Sequence, residues 1–236
     1  MGISVNDAAK VSARSDALPR EAKRMVDLFL QGGPFMWPIL IVFIIGITFV
    51  IERAISLSLS TVNTKKFVIS VNKKLHDEGP EAAMELCAST RGPVASVFHA
   101  GLMRLGRGVD AVEKGIMNAG SIELAFLEKN LVWLATVIAI APMLGFTGTV
   151  SGMISAFQDI AAANDITPSI VASGISEALL TTLFGLVVAI IIQFFNNLFV
   201  SVIDKTVADM QESSVEFVDT LMAYQQEHGG EGATNK

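Results

Sequence analysis

Glu177 is the one ionisable residue between Pro168 and Ile203. Four residues on stands Thr181, with Thr182 beside it, and Asn196 and Asn197 follow near the far end of the same stretch. A second uncharged stretch, 130–158, carries Thr149 within "GFTGTVSG". A carboxylate inside hydrocarbon is costly, so such a residue marks a functional site by default. Hydroxyls both donate and accept hydrogen bonds. A carboxylate and hydroxyls on a shared face are the groups that a hydrated proton path requires. No Lys or Arg lies in any apolar stretch to neutralise Glu177. It must be protonated, hydrated or matched by another chain.

Other chemistries find little support. His76, His99 and His228 have no second ligand at metal spacing, so no metal site is expected. "GFTGTVSG" lacks the Lys of a phosphate-binding loop and sits in an apolar run. No nucleophile–base pair or carboxylate pair points to an enzyme, and no cofactor is implied. Cys87 is the only cysteine; within "AAMELCAST" it reads as a buried, inert thiol.

The elements that hold these residues are apolar helices. The chain has 236 residues, 51% hydrophobic and 17% charged, the balance of a membrane protein with polar appendages. Its formal net charge of -6 is no nucleic-acid signature. Span one covers 28–51, span two 130–158 and span three 168–203. Each exceeds the roughly 20 residues needed to cross a bilayer. The 36 residues of span three exceed what the hydrocarbon needs, so spans two and three should continue beyond it. The first 27 residues carry no secretory h-region, so span one is expected to be retained.

Orientation follows from the loops. The short loop 159–167 has two acids and no Lys or Arg, whereas 52–129 holds ten Lys or Arg. The positive-inside rule puts 52–129 in the cytoplasm, the loop 159–167 and the arm 1–27 outside, and the tail 204–236 inside. Five basic residues in the arm pull the other way, against a stronger contrast elsewhere. Region 52–129 reads as helix throughout, with breaks at Gly79-Pro80 and Gly106. It is expected to run without a breaking proline into span two. The tail carries a stripe of Val207, Met210, Val218, Leu221 and Tyr224 as far as about His228, and "GGEGATNK" is expected to be disordered.

Spans two and three are two-faced. At 100° per residue Gly174, Glu177, Ala178, Thr181, Thr182, Gly185, Ala189 and Asn196 share an arc of about 140°. Leu179, Leu180, Leu183, Phe184, Val187, Ile190, Ile191 and Phe194 occupy the other side. In span two Pro142, Gly145, Gly148, Thr149, Gly152 and Ser155 share a face, with Gly148 and Gly152 as a GxxxG pair. The glycines and Pro142 suit close helix packing; Glu177 does not, since packing needs small residues rather than a carboxylate.

Two segments carry a resemblance. "LEKNLVWLATVIAIAPMLGFTGTVSGMISAF" and "GISEALLTTLFGLVVAI" resemble the ExbB/TolQ/MotA proton-channel family, in its three-span ExbB/TolQ-like branch. The resemblance covers roughly residues 28–225 and rests on Ala141, Pro142, Gly145, Gly148, Thr149 and Gly152 in one segment. In the other it rests on Glu177, Ala178, Thr182, Gly185 and Ala189. It implies an all-α membrane protein, pentameric around a central pore lined by the second and third helices, in a bacterial inner membrane. It implies two copies of a single-span ExbD/TolR-like partner in that pore, and a TonB-like protein for some members. By this resemblance Thr149 and Thr182 match pore threonines, Glu177 a pore glutamate near the outer end, and Asn197 an inner asparagine. Asn196, closer to the small face, competes with Asn197 for that place. Two other readings stay open, a structural scaffold and a stand-alone cation channel, as does sodium in place of protons.

Overall fold

A computed structural model describes residues 20–60, 64–163 and 168–228. Within them the chain is helical, with no strand. Among the described residues are eight α-helices: α1 Arg20–Gln31, α2 Met36–Ser60, α3 Thr64–Asp77, α4 Pro80–Ser89, α5 Pro93–Leu102, α6 Val109–Glu128, α7 Leu131–Ala163 and α8 Pro168–His228. A 3₁₀ turn, Leu105–Arg107, joins α5 to α6. Three helical stretches are long and apolar enough to cross a membrane: Met36–Ser58, Val109–Ala162 and Val171–Tyr224. The arm 1–19, the loop residues 164–167 and the stretch "GGEGATNK" lie outside the described residues.

The elements form two compact units. One comprises the described residues of Met1–Thr48 and Trp133–Phe194, the other those of Phe49–Val132 and Phe195–Lys236. The second unit is built on amphipathic periodicity. Phe67, Val68, Val71 and Leu75 of α3 fall on one face and meet Ala83 and Cys87 of α4, Val97 and Phe98 of α5, and Val112 and Ile116 of α6. The tail stripe closes this core. Met210 and Leu221 are buried in it, and Val218 and Tyr224 pack against it. At its centre the rings of Phe98 and Phe217 stack 3.9 Å apart and 5° from parallel. Helices α4 and α5 each begin with proline after a glycine at positive φ, Gly79 at 91° and Gly92 at 136°. Proline suits the first helical position, where its missing N–H costs nothing.

Two breaks differ from the expectation of uninterrupted runs. The uncharged run from Leu28 does not form one helix. Its first residues belong to α1, and the spanning helix starts at Met36. Between them Gly33 has φ 70° and Pro34 follows, a pair that cannot continue a helix. The run into span two also breaks, at Lys129–Asn130. Asn130 adopts φ 70°, the left-handed conformation that Asn tolerates better than most residues and that ends helices.

That second break is tied down. Arg53 of α2 is 3% exposed. Its guanidinium donates to both carboxylate oxygens of Glu52, each at 2.8 Å, and to the Leu127 carbonyl at 3.3 Å. Glu52 in turn accepts from the Asn130 side-chain amide at 3.2 Å. A cation on a carbonyl of the last turn of α6 also answers the negative end of the helix dipole. Nothing in the spacing of these residues announced this clamp. Glu-Arg at the end of an apolar run reads as an ordinary polar flank.

Candidate functional site

The first unit places α7 against α8 through residues too small to keep the backbones apart. A Cβ built on Gly185 would lie 2.6 Å from the Ala141 carbonyl oxygen and 3.2 Å from the Gly145 Cα. One on Gly145 would lie 2.9 Å from the Thr181 carbonyl oxygen, and one on Gly148 2.6 Å from the Thr181 hydroxyl. Gly152 faces Ala178 at 3.2 Å by the same measure, and Gly174 is pressed against Ala156. Real Cβ atoms essentially never come within 3.0 Å, so Gly145, Gly148, Gly174 and Gly185 admit only glycine without a shift, and Gly152 is tight. Small residues are what allow such approach in hydrocarbon, where no hydrophobic force drives helices together. The small faces of the two helices therefore meet each other within one chain. Pro142, on the same face of α7, is half-buried and lies inside the helix.

The close approach brings hydroxyls together. Thr149 of α7 and Thr182 of α8 are hydrogen-bonded to each other. Thr149 also donates to Ala178 O at 3.2 Å and Gly145 O at 3.3 Å, and Thr182 to Gly145 O at 3.1 Å. These are alternatives for two protons, so the cluster can redistribute its donors among several acceptors. Thr181, 1% exposed, donates to Ala178 O at 2.8 Å within its own helix. It is the side chain that Gly148 accommodates.

Glu177 belongs to the same helix but looks elsewhere. Gly174, Ala178, Thr181 and Gly185 are buried against α7, whereas Glu177 is half-buried and its carboxylate lies over Gly33, in the bend between α1 and α2. The arc of about 140° thus divides between two neighbours. Asn196 is half-buried and Asn197 exposed; both fall in the other compact unit. The bulky face is open, with Leu179 63%, Ile190 67% and Phe194 66% exposed, as lipid contact requires. Among the described residues no group of three or more His, Cys, Asp or Glu could hold a metal ion. Burial pushes the Cys87 thiol up to about 12, far from the range of a reactive cysteine.

Two contacts have no signal in the sequence pattern, one in this unit and one in the other. Gly33 as the neighbour of Glu177 depends on a contact 144 positions apart in the chain. Its only local trace is the Gly-Gly-Pro that interrupts an apolar run. The link from Glu52 to Asn130 is equally non-local.

The comparisons with known proteins agree on a family. The model of the MotA/TolQ/ExbB proton channel family matches residues 89–212. A biopolymer transport protein ExbB homolog of Methanothermobacter thermautotrophicus is 30% identical over 169 residues, 71% of this chain and 60% of that protein's own length. A biopolymer transport protein ExbB-like 3 of Synechocystis is 29% identical over 78% of this chain and 89% of its own length. The Tol-Pal system protein TolQ of Haemophilus influenzae is 40% identical over a shorter 85 residues, 34% of this chain and 37% of its own length. The matched stretch takes in all of α7, the Thr149–Thr182 bridge and Glu177, and the chain belongs to the MotA/TolQ/ExbB proton channel family.

Proposed function

We propose that this chain is the channel-forming subunit of an ion-driven motor in a bacterial inner membrane. With a single-span partner of the ExbD/TolR kind, it converts proton-motive force into work on an outer-membrane or envelope process such as TonB-dependent transport. The observation that carries this reading is the hydroxyl bridge between Thr149 and Thr182, on helices whose glycines leave it room, in a segment whose single carboxylate is Glu177. A pure packing interface needs neither group. Relatives named for ExbB biopolymer transport and for the Tol-Pal system support the same class of role.

In this reading five copies surround a central pore, and two copies of the partner stand in it. The functional groups are Thr149, Glu177, Thr181 and Thr182, with Asn196 or Asn197 toward the inner end. The glycines and Pro142 hold α7 and α8 at the distance the path needs. The termini lie as the positive-inside rule orients them, with 1–27 outside, 52–129 and 204–236 in the cytoplasm, and 159–167 as an outer loop.

The test is reconstitution. The chain is purified with a candidate single-span protein of the ExbD/TolR kind from the same organism, placed in liposomes under an imposed proton gradient, and proton entry is followed. Flux that needs both proteins supports the proposal. Flux from this chain alone would make it a stand-alone channel. No flux at full partner occupancy would make it a scaffold.

A further inference from the structure

The bend between α1 and α2 is built around an acid. Gly33 stands at φ 70°, and a Cβ on it would overlap the Glu177 carboxylate and lie 3.0 Å from Glu177 Cγ. The bend is held against α8 through Phe29. Phe29 at the end of α1 meets Phe184 edge-on at 6.4 Å and Trp37 edge-on at 5.6 Å. Phe184, grouped by periodicity with the bulky residues, is seven residues beyond Glu177, about two helical turns, and stands at the edge of that face next to Glu177. Met36, at the start of α2, is fully buried. The Met36 amide donates to the Gly33 carbonyl at 3.3 Å, which ties the bend to the first turn of the spanning helix.

We infer that this bend is a seat for the Glu177 carboxylate, and that Gly33 is a positioning residue which acts through it. Seated, the carboxylate is shielded by the bend and stands apart from the Thr149–Thr182 pair; the ion path is then in a closed state on its outer side. Leaving the seat needs only side-chain rotation about the Glu177 torsions, a fast and inexpensive motion. A side chain at position 33 removes the seat and leaves the carboxylate in the path. This rests on the proposal that Glu177 belongs to that path, but the seat itself is a geometric claim.

The experiment labels the complex of this chain with its partner, using a hydrophobic carbodiimide, and reads modification of Glu177 by mass spectrometry. The exposed Glu212 serves as internal reference. Gly33→Ala should raise the Glu177 labelling rate severalfold. Gly108→Ala, which also places alanine at positive φ (92°) but with nothing within 4 Å of the added methyl, should leave it near wild type. An unchanged rate in Gly33→Ala overturns the seat. If Gly33→Ala does not assemble, the double variant with Glu177→Ala decides. Alanine at φ 70° is strained in either background, so a smaller loss of stability in the double variant than in Gly33→Ala shows that the collision is with the carboxylate, and an equal loss overturns the inference. Absence of proton flux in the wild-type complex with these labelling results intact would defeat the proposed function and leave the seat standing.

Discussion

Gly185→Ala adds one methyl group and removes nothing. Its Cβ would lie 2.6 Å from the Ala141 carbonyl oxygen, about 0.8 Å inside the 3.4 Å at which ordinary contact begins. A backbone carbonyl has no rotamer with which to retreat, so α7 and α8 must move apart. Thr182 donates to Gly145 O across that gap at 3.1 Å. A separation of the required size takes this bond to about 3.9 Å, beyond any hydrogen bond. Overpacking costs about 1–3 kcal/mol, and a lost interhelical hydrogen bond in a membrane about 0.6 kcal/mol. Alanine recovers about 0.5–1 kcal/mol of helix propensity. The net loss is about 2 kcal/mol, enough to lower the melting temperature of the purified oligomer measurably. Proton flux should fall with it, although every polar group is still present. Gly120→Ala supplies the control. Its Cβ meets only Met210, at 3.7 Å, so it keeps the propensity gain without the collision. Full flux from Gly185→Ala, with a melting temperature at or above wild type, would refute the argument that glycine spacing sets the hydroxyl geometry.

Three further outcomes are expected. Thr149→Val and Thr182→Val keep side-chain shape and should cost only about 0.6 kcal/mol each; the double variant should assemble with its partner yet conduct poorly, and full conduction would reduce these hydroxyls to packing groups. Arg53→Ala should destabilise by about 2–3 kcal/mol, chiefly through the Leu127 carbonyl bond and the buried stem. Glu52→Gln keeps an acceptor but leaves the buried Arg53 guanidinium without its counter-charge, so it should also destabilise, by about 1–3 kcal/mol; an unchanged melting temperature in either variant would contradict the clamp. Cys87 should resist maleimide at pH 8 in the folded protein and react once it is denatured. Between its usual 9.0 and about 12 the unfolded thiol loses a proton that the folded one keeps, so Cys87 should make stability fall as pH rises through that window. Prompt labelling of the folded protein at pH 8 would contradict this.

The legible part of the fold was the part with a period. Leu179, Leu183, Val187 and Ile190 on one side of span three, and Gly174, Thr181 and Gly185 on the other, follow directly from 100° per residue. The core face of α3 and the tail stripe through Met210 and Leu221 follow in the same way. Boundaries were less legible. The break at Asn130 lacks the Gly or Pro that usually marks one, and a lone Asn before an apolar run does not reveal its left-handed backbone. The break at Gly33 had its Gly-Gly-Pro signal, but unbroken hydropathy from Leu28 masked it. In the site, the small faces that carry Thr149 and Thr182 could be anticipated from their period, although not that they meet each other within one chain. The Gly33–Glu177 and Glu52–Asn130 contacts could not, because each joins residues far apart in the chain and neither has a periodic signature.

The central claim is that Glu177 serves ion flow. The direct measurement is proton entry into liposomes holding the complex of this chain and its partner, normalised to partner bound, for wild type, Glu177→Gln and Glu177→Ala. Glutamine keeps the size and removes the charge; alanine removes both. Both variants should insert and assemble, with flux weakened by glutamine and abolished by alanine. Wild-type flux from Glu177→Ala at normal partner occupancy would show that the carboxylate has no part in the path.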